Sequence, residues 1–288
     1  MINPLYSQKP APFFKGNDEL VVVSRNDFWG LNVGYECLEW RYQAFTNHLF
    51  HWLLEFVLPY SDLKKINHAN AVEAITKAAN TVYSTEKYRN RGEFGELILH
   101  AVLRELFDTE PIVNKIYFKS AVNDTVKGFD AVHARCDDDG RLELWLGEVK
   151  FYTDIGAAIQ SVSDEITAHL GRSKLREEFM CVGKCVDPEW PHAREVDKLF
   201  SSNTSLDDVF KIMCVPVLLT YESHAVQSAK QISDDFLSAL REELEKHHES
   251  FLRKIPNVAV KIVLVLLPLD SKQKLVDSLN AKLRGYQT

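Results

Sequence analysis

The chain has 288 residues and 45% hydrophobic content, which is enough to bury a sizeable core. Its longest apolar runs, 49–59 and 258–269, contain charged residues and are too short to span a bilayer, so we expect a soluble cytoplasmic protein with no membrane association. Five scattered cysteines fit a reducing compartment. The net charge of −7 argues against strong autonomous binding to nucleic acid, because phosphate contacts need a basic face.

The first 90 residues predict a mainly helical N-terminal region. Its predicted elements are a strand at 19–24, one long amphipathic helix at 36–58 that ends at Pro59, and a second helix at 70–83. A polar stretch at 84–91 follows and predicts a domain boundary. We therefore divide the chain into a region 1–90 and a domain 91–288.

The second region predicts a mixed sheet flanked by helices, in the order helix, three strands, helix, strand. These elements are predicted at 92–107, 112–118, 126–136, 141–151, 155–170 and 212–221, with a loop between the last two. The Asp-Asp-Asp-Gly sequence at 137–140 predicts a turn that makes the second and third strands a hairpin. A charged helix at 227–253, a strand at 258–267 and a helix at 270–283 form a C-terminal extension.

The third strand carries an unusual row of side chains on one face. Strand residues alternate between faces, so Leu142, Leu144 and Leu146 share a face with Glu148 and Lys150. Charges beside a core row are costly unless they are paired or metal-bound. The row therefore predicts a strand whose far end opens into a polar site.

The hairpin brings a second carboxylate to this site. A tight turn at 137–140 places Asp130 opposite Gly147 or Glu148, so the Asp130 and Glu148 carboxylates come close across the ladder. Two carboxylates, with the Val149 backbone oxygen, are the hard ligands that Mg²⁺ prefers, and Mn²⁺ could substitute. Lys150 is then placed to orient a water or to stabilise charge on a phosphate. These residues predict metal-dependent hydrolysis of a phosphodiester.

Flanking helices supply weaker candidates. Glu93 and Glu96 share a face at the start of a helix, where Glu96 is the preferred additional carboxylate for the metal and Glu93 a weaker candidate for substrate contact. Both could instead only favour the helix dipole. Gln160, one helix after Lys150, is a candidate for substrate contact or an ordinary solvated residue. Cys181, Cys185 and His192 lack a clear fourth ligand, so we favour a loop over a zinc site.

The pattern Asp130…Glu148-Val149-Lys150, with a preceding helix that carries Glu96 and a following helix that carries Gln160, resembles the PD-(D/E)xK nuclease superfamily. That resemblance implies a restriction-endonuclease-like αβββαβ core over about 92–221. The strings Arg-Gly-Glu-Phe-Gly-Glu at 91–96, Lys-Gly-Phe-Asp at 127–130 and Leu-Gly-Glu-Val-Lys-Phe at 146–151 more specifically resemble the HamA family of the Hachiman anti-phage system. The family implies a DNA-degrading effector that works with a superfamily 2 helicase, HamB.

One departure from the superfamily pattern affects the first carboxylate. The superfamily often has proline before the aspartate, and Phe129 stands there in this chain. The assignment of Asp130 therefore depends on strand register more than on motif.

Two alternatives stay open at the level of sequence. The acidic charge and the N-terminal helices also suit a catalytically silent subunit that binds or regulates a helicase. Phosphodiester chemistry alone does not distinguish DNA from RNA as the substrate.

Overall fold

The computed structural model describes residues 5–84, 92–114, 128–136, 141–201, 203–255 and 258–287. These residues form a seven-stranded mixed sheet with helices on both faces, together with a small two-stranded hairpin. The expected α/β architecture is confirmed. Within the described residues, no helix is both long enough and apolar enough to cross a membrane.

The large sheet combines strands from both ends of the chain. Its strands are β1 (Val21–Ser24), β2 (Phe28–Leu31), β5 (Glu110–Val113), β6 (Ala131–Cys136), β7 (Leu142–Phe151), β8 (Met213–Glu222) and β9 (Lys261–Leu269). Their order is β1-β2-β9-β8-β7-β6-β5, with β2, β9, β8 and β7 parallel and the outer pairings antiparallel. The central strands β8 and β9 are buried on both faces, as their continuous apolar sequences require.

Helices cover both faces of this sheet. Among the described residues these helices are α1 (Tyr42–His51), α2 (Leu53–Val57), α3 (Tyr60–Leu63), α4 (Ala71–Ser84), α5 (Gly92–Leu106), α6 (Ile155–His169), α7 (Arg172–Gly183), α8 (Ala193–Phe200), α9 (Leu206–Ile212), α10 (His224–Ser228), α11 (Asp234–Lys254) and α12 (Lys272–Gly285). The predicted order of helix, three strands, helix and strand is present as α5, β5, β6, β7, α6 and β8. Asp154, Ser223, Ser233 and Ser271 cap the helices that follow them.

The prediction of one long helix at 36–58 is wrong. Its first residues form a hairpin of β3 (Tyr35–Glu36) and β4 (Glu39–Trp40), whose turn residues Cys37 and Leu38 have φ of 51° and 66°. Helix α1 then begins at Tyr42, and the helix is interrupted at Trp52. Phe45, Leu49 and Leu53 are buried, but Leu38 is exposed in a left-handed turn, which is not visible in an apolar pattern.

Two further predictions differ from the structure. The segment between α6 and β8, expected to be a loop, contains α7, α8 and α9. The charged helix expected at 227–253 is two helices, α10 and α11, because the chain is extended at Ala229 and Ser233 caps a new helix. The turn at 137–140, the end of the strand predicted at 112–118 and the boundary stretch at 85–91 lie outside the described residues.

The two predicted regions share one sheet. Strand β2 from the N-terminal region pairs with β9 from the C-terminal extension, so the N-terminal region is not only helical. One hydrophobic core includes residues of both regions, such as Phe45 and Leu49 with Leu279 and Leu283. The division at residues 90 and 91 stays a prediction.

Candidate functional site

The register of the β6–β7 hairpin brings Asp130 beside Glu148. Ala131 pairs with Gly147, so Asp130 lies one residue beyond the ladder, opposite Glu148. Its carboxylate Oδ2 accepts a hydrogen bond of 3.0 Å from the backbone nitrogen of Val149. Strand N–H groups lie in the plane of the sheet, so the Asp130 carboxylate lies near that plane, where β6 has ended.

Alternation along β7 separates two faces. A side chain at Gly95 on α5 would meet Val149 and Phe151 at 3.3 and 2.9 Å, so α5 packs on the face that carries the odd-numbered residues. Glu148 and Lys150 point to the opposite face and contact α6. The predicted shared face of these two residues is therefore present, and it is covered by α6.

Glu148 is almost fully buried and is held by a histidine. It is 1% exposed, and its Oε1 lies 2.6 Å from Nδ1 of His169 at the end of α6. Burying a carboxylate without a partner costs several kcal/mol or more. His169 therefore makes the buried position of Glu148 tolerable.

Lys150 has its partner on the same helix. Its ammonium group donates to the carboxylate of Glu165, one turn before His169 on α6. Burial alone would lower the pKa of Lys150, but the hydrogen bond to Glu165 and the charges of Asp130 and Glu148 raise it. The side chain therefore stays a cation, and Asp130, Glu148 and Lys150 belong to one electrostatic cluster.

Glu96 lies on the other side of the sheet. It is buried on α5 and lines a cavity of about 20 Å³ together with Asp130, His100 and His133, room for about one water. Asp130, near the sheet plane, borders both this cavity and the cluster on the α6 face. Glu96 therefore shares a space with Asp130 but not with Glu148, and Glu93 is half-buried at the start of the same helix.

Gln160 does not face the cluster. Its side-chain amide donates to Asp164 and accepts from Lys254, at 3.1 and 3.0 Å. At about 100° per residue, Gln160 lies roughly 140° around the helix from Glu165. Its exposed amide lies instead between α6 and the end of α11.

The described residues contain no group of three or more histidine, cysteine, aspartate or glutamate side chains arranged to hold a metal ion. The structure therefore gives no support to a zinc centre built from Cys181, Cys185 and His192. The donors around Asp130 nevertheless suit a hard cation, because magnesium is often held by one or two carboxylates with waters and phosphate oxygens. A strand residue directs its N–H and C=O to one side, so the Val149 carbonyl faces the side on which Asp130 lies.

The loop before β6 is clamped by α7. The backbone nitrogen of Phe129 donates to Oε1 of Glu178 at 2.6 Å. Gly128 has φ +151°, and an added Cβ would lie 2.1 Å from the same oxygen. Glycine is therefore required here, and α7 fixes the backbone that leads into Asp130.

Sequence reasoning missed Glu165, His169 and Glu178. Glu165 and His169 are four residues apart and so share one helix face, which is a visible signal once α6 is known to cover β7. The region of Glu178 was expected to be a loop, so no spacing could place it.

A second buried polar cluster adjoins the Glu96 cavity. Arg104, 1% exposed, pairs with Glu55 and donates to the carbonyls of Thr109 and Tyr6 at 2.5 and 2.7 Å. His133 completes the cluster through a 2.8 Å contact with the Thr109 hydroxyl. Burial, with the nearby charges of His100 and Arg104, holds the pKa of His133 well below its ordinary value.

Similarity to known proteins covers most of the chain. A profile of the HamA family matches residues 16–283. The chain belongs to the HamA family. The HamA resemblance carried by the strings around Glu96, Asp130 and Glu148 is thereby confirmed, while membership of the PD-(D/E)xK superfamily stays a prediction.

A curated relative supports the same assignment at low identity. Anti-bacteriophage protein A of Escherichia coli (strain K12) is 20% identical over 262 residues, which cover 88% of this HamA-family chain and 47% of that protein. The chain thus spans about half the length of this relative. No solved structure matches the chain significantly.

Proposed function

We propose that this HamA-family chain is a metal-dependent DNA nuclease that acts in anti-phage defence in the cytoplasm. The observation that carries the proposal is the electrostatic cluster of Asp130, Glu148 and Lys150 at the open end of the β6–β7 hairpin. Two carboxylates and a lysine at adjoining strand ends are suited to phosphodiester hydrolysis. The printed name of the curated relative, Anti-bacteriophage protein A, supports the defence role.

Each residue has a separate task in this proposal. Mg²⁺ or Mn²⁺ would be held by the carboxylates of Asp130 and Glu148 and the carbonyl of Val149. Glu96, which lines a cavity with Asp130, would reach a water bound to the metal on the Asp130 side. When bound, the metal supplies a polarised phosphate and an activated water. The Lys150 ammonium stabilises negative charge on the phosphate, after exchanging Glu165 for a phosphate oxygen.

The proposal includes a partner. The chain has 34 lysine and arginine residues against 41 aspartate and glutamate residues, and its net charge of −7 opposes the phosphate contacts that supply most non-specific affinity. A superfamily 2 helicase of the HamB type would deliver unwound DNA to the site. We therefore expect cleavage to be stronger with the helicase than with the isolated chain.

The decisive experiment compares matched variants on labelled DNA, with and without the co-purified helicase, in Mg²⁺ and Mn²⁺. Glu148→Gln and Lys150→Met should each reduce cleavage at least about 100-fold, because even supporting residues of metal sites cost 10–100-fold. Glu143→Gln is the control, since Glu143 lies on the same strand but pairs with Arg135 at 2.6 Å. Undiminished cleavage by both site variants would contradict the assignment.

A catalytically silent subunit that regulates a helicase is the second candidate. It is favoured by the pairing of Glu148 with His169 and of Lys150 with Glu165, which leaves both side chains engaged within the chain. This function predicts full phage protection from Glu148→Gln and Lys150→Met. Parallel assays on DNA and RNA of one sequence would identify the nucleic acid if cleavage is observed.

A further inference from the structure

His169 contacts one carboxylate of the proposed site, Glu148, and the residue that precedes the other, Asp130. Its Nδ1 lies 2.6 Å from Glu148 Oε1. Its ring packs edge-on against Phe129, with centroids 5.0 Å apart and planes at 67°. Phe129 directly precedes Asp130, so one imidazole ring touches Glu148 and the residue next to Asp130.

The hydrogen bond defines the orientation of Glu148. An ionised carboxylate only accepts hydrogen bonds, so Nδ1 of His169 must carry the hydrogen. Glu148 is 1% exposed and His169 8%, so this contact is shielded from water, where a charge-assisted hydrogen bond is strongest. His169 therefore holds the Oε1 oxygen of Glu148 in a defined position.

Phe129 in turn fixes the ring. It is 1% exposed, and its backbone nitrogen is held by Glu178. A buried aromatic ring with an anchored backbone has little freedom, so its edge contact limits the rotation of the imidazole. Phe129 thus has a packing role that a proline at this position could not fill.

We infer that His169 is a positioning residue that orients the Glu148 carboxylate for metal binding, with Phe129 fixing the plane of its ring. This inference rests on the proposed function, because it assigns His169 to the same site. Residues that hydrogen-bond metal-ligating carboxylates orient the ligand and tune its affinity for the metal. The role differs from core packing, which would need the ring but not its N–H.

Two substitutions separate the hydrogen bond from the packing. His169→Asn retains an N–H near the position of Nδ1 and loses most of the ring, whereas His169→Phe retains a ring and loses the donor. Isothermal titration with Mn²⁺ in the absence of nucleic acid measures the site directly. We expect His169→Phe to weaken Mn²⁺ binding about 10–100-fold and His169→Asn to recover most of that loss.

His248 is the matched control. It is also 8% exposed and stacks on Phe28 at 4.1 Å, but it lies on α11. His248→Phe and His248→Asn should leave Mn²⁺ binding unchanged. Circular dichroism and thermal unfolding establish that each variant is folded before titration, and the smaller His169→Asn change keeps the test open if His169→Phe does not fold.

The outcomes distinguish this inference from the proposed function. Mn²⁺ binding by the wild type that Glu148→Gln abolishes supports the metal site, and the order wild type, then Asn, then Phe supports the role of His169. Unchanged affinity in His169→Phe, or an Asn variant weaker than Phe, overturns the inference alone. If the wild type binds no Mn²⁺, or binds it no more tightly than Glu148→Gln does, both the proposed function and the role of His169 are overturned.

Discussion

Replacing Gly128 with alanine tests whether α7 holds the backbone that leads into Asp130. The new Cβ would lie 2.1 Å from Glu178 Oε1, so the carboxylate must move and lose its 2.6 Å bond from the Phe129 nitrogen. A hydrogen bond to a charged group contributes about 1.5–3 kcal/mol. Alanine at φ +151° adds about 1–3 kcal/mol of backbone strain. Gly128→Ala should therefore destabilise the protein by about 2.5–6 kcal/mol.

A double-mutant cycle with Glu178→Ala separates these two contributions. In the Glu178→Ala background the hydrogen bond is already absent and the steric conflict is removed, so only the strain of about 1–3 kcal/mol remains. Urea unfolding followed by tryptophan fluorescence gives the four free energies of unfolding. Gly156→Ala on α6 is the control, because its Cβ would approach nothing closer than Asp154 Oδ1 at 3.3 Å. An equal cost of Gly128→Ala in both backgrounds would refute the steric argument.

Three further results are expected. Arg104→Met should cost about 3–5 kcal/mol in urea unfolding, because it leaves the largely buried Glu55 without its cationic partner. Loss of the more exposed Arg135–Glu143 pair should cost less than about 1 kcal/mol, and equal costs would contradict this. His133 is buried with a lowered pKa, so below about pH 6.5 the unfolded chain binds more protons than the folded chain and stability falls as pH decreases. His133→Gln should reduce this dependence of unfolding free energy on pH by up to about 1.4 kcal/mol per pH unit. An unchanged dependence would show that another group causes it. Gln160→Ala should change cleavage no more than about twofold, since Gln160 faces away from Lys150. A larger loss would show that Gln160 contacts the substrate.

The hairpin that builds the site could be read from the sequence because its rules are local. Strand alternation fixed the shared face of Glu148 and Lys150, and the short Asp-Gly turn limited Asp130 to two positions opposite β7. The observed pairing of Ala131 with Gly147 selects the position opposite Glu148. Both rules depend on residues near one another in the chain, so no tertiary information was needed.

The supports of the site could not be predicted, because they depend on how distant elements pack. The contact of Glu165 with Lys150 requires that α6 cross the face of β7, and a periodic pattern gives a helix but not its neighbour. The same limit applies to Glu96, whose placement across the sheet from Glu148 follows from the packing of α5 against Gly147 and Val149. Helices α7 to α9 are only 12, 8 and 7 residues long, and the Cys, Pro and Trp residues among them favour a loop, so the local pattern did not identify them.

The position of β9 between β2 and β8 affects how this chain is synthesised. Phe28 on β2 pairs with Leu264 on β9, roughly 240 residues later. A ribosome that adds about 5–20 residues per second needs about 10–50 s to cover that distance. During this interval the β1–β2 hairpin has no neighbouring strand in the sheet, so we expect its exposed edge to need protection, for example by a chaperone, until the C-terminal strand emerges.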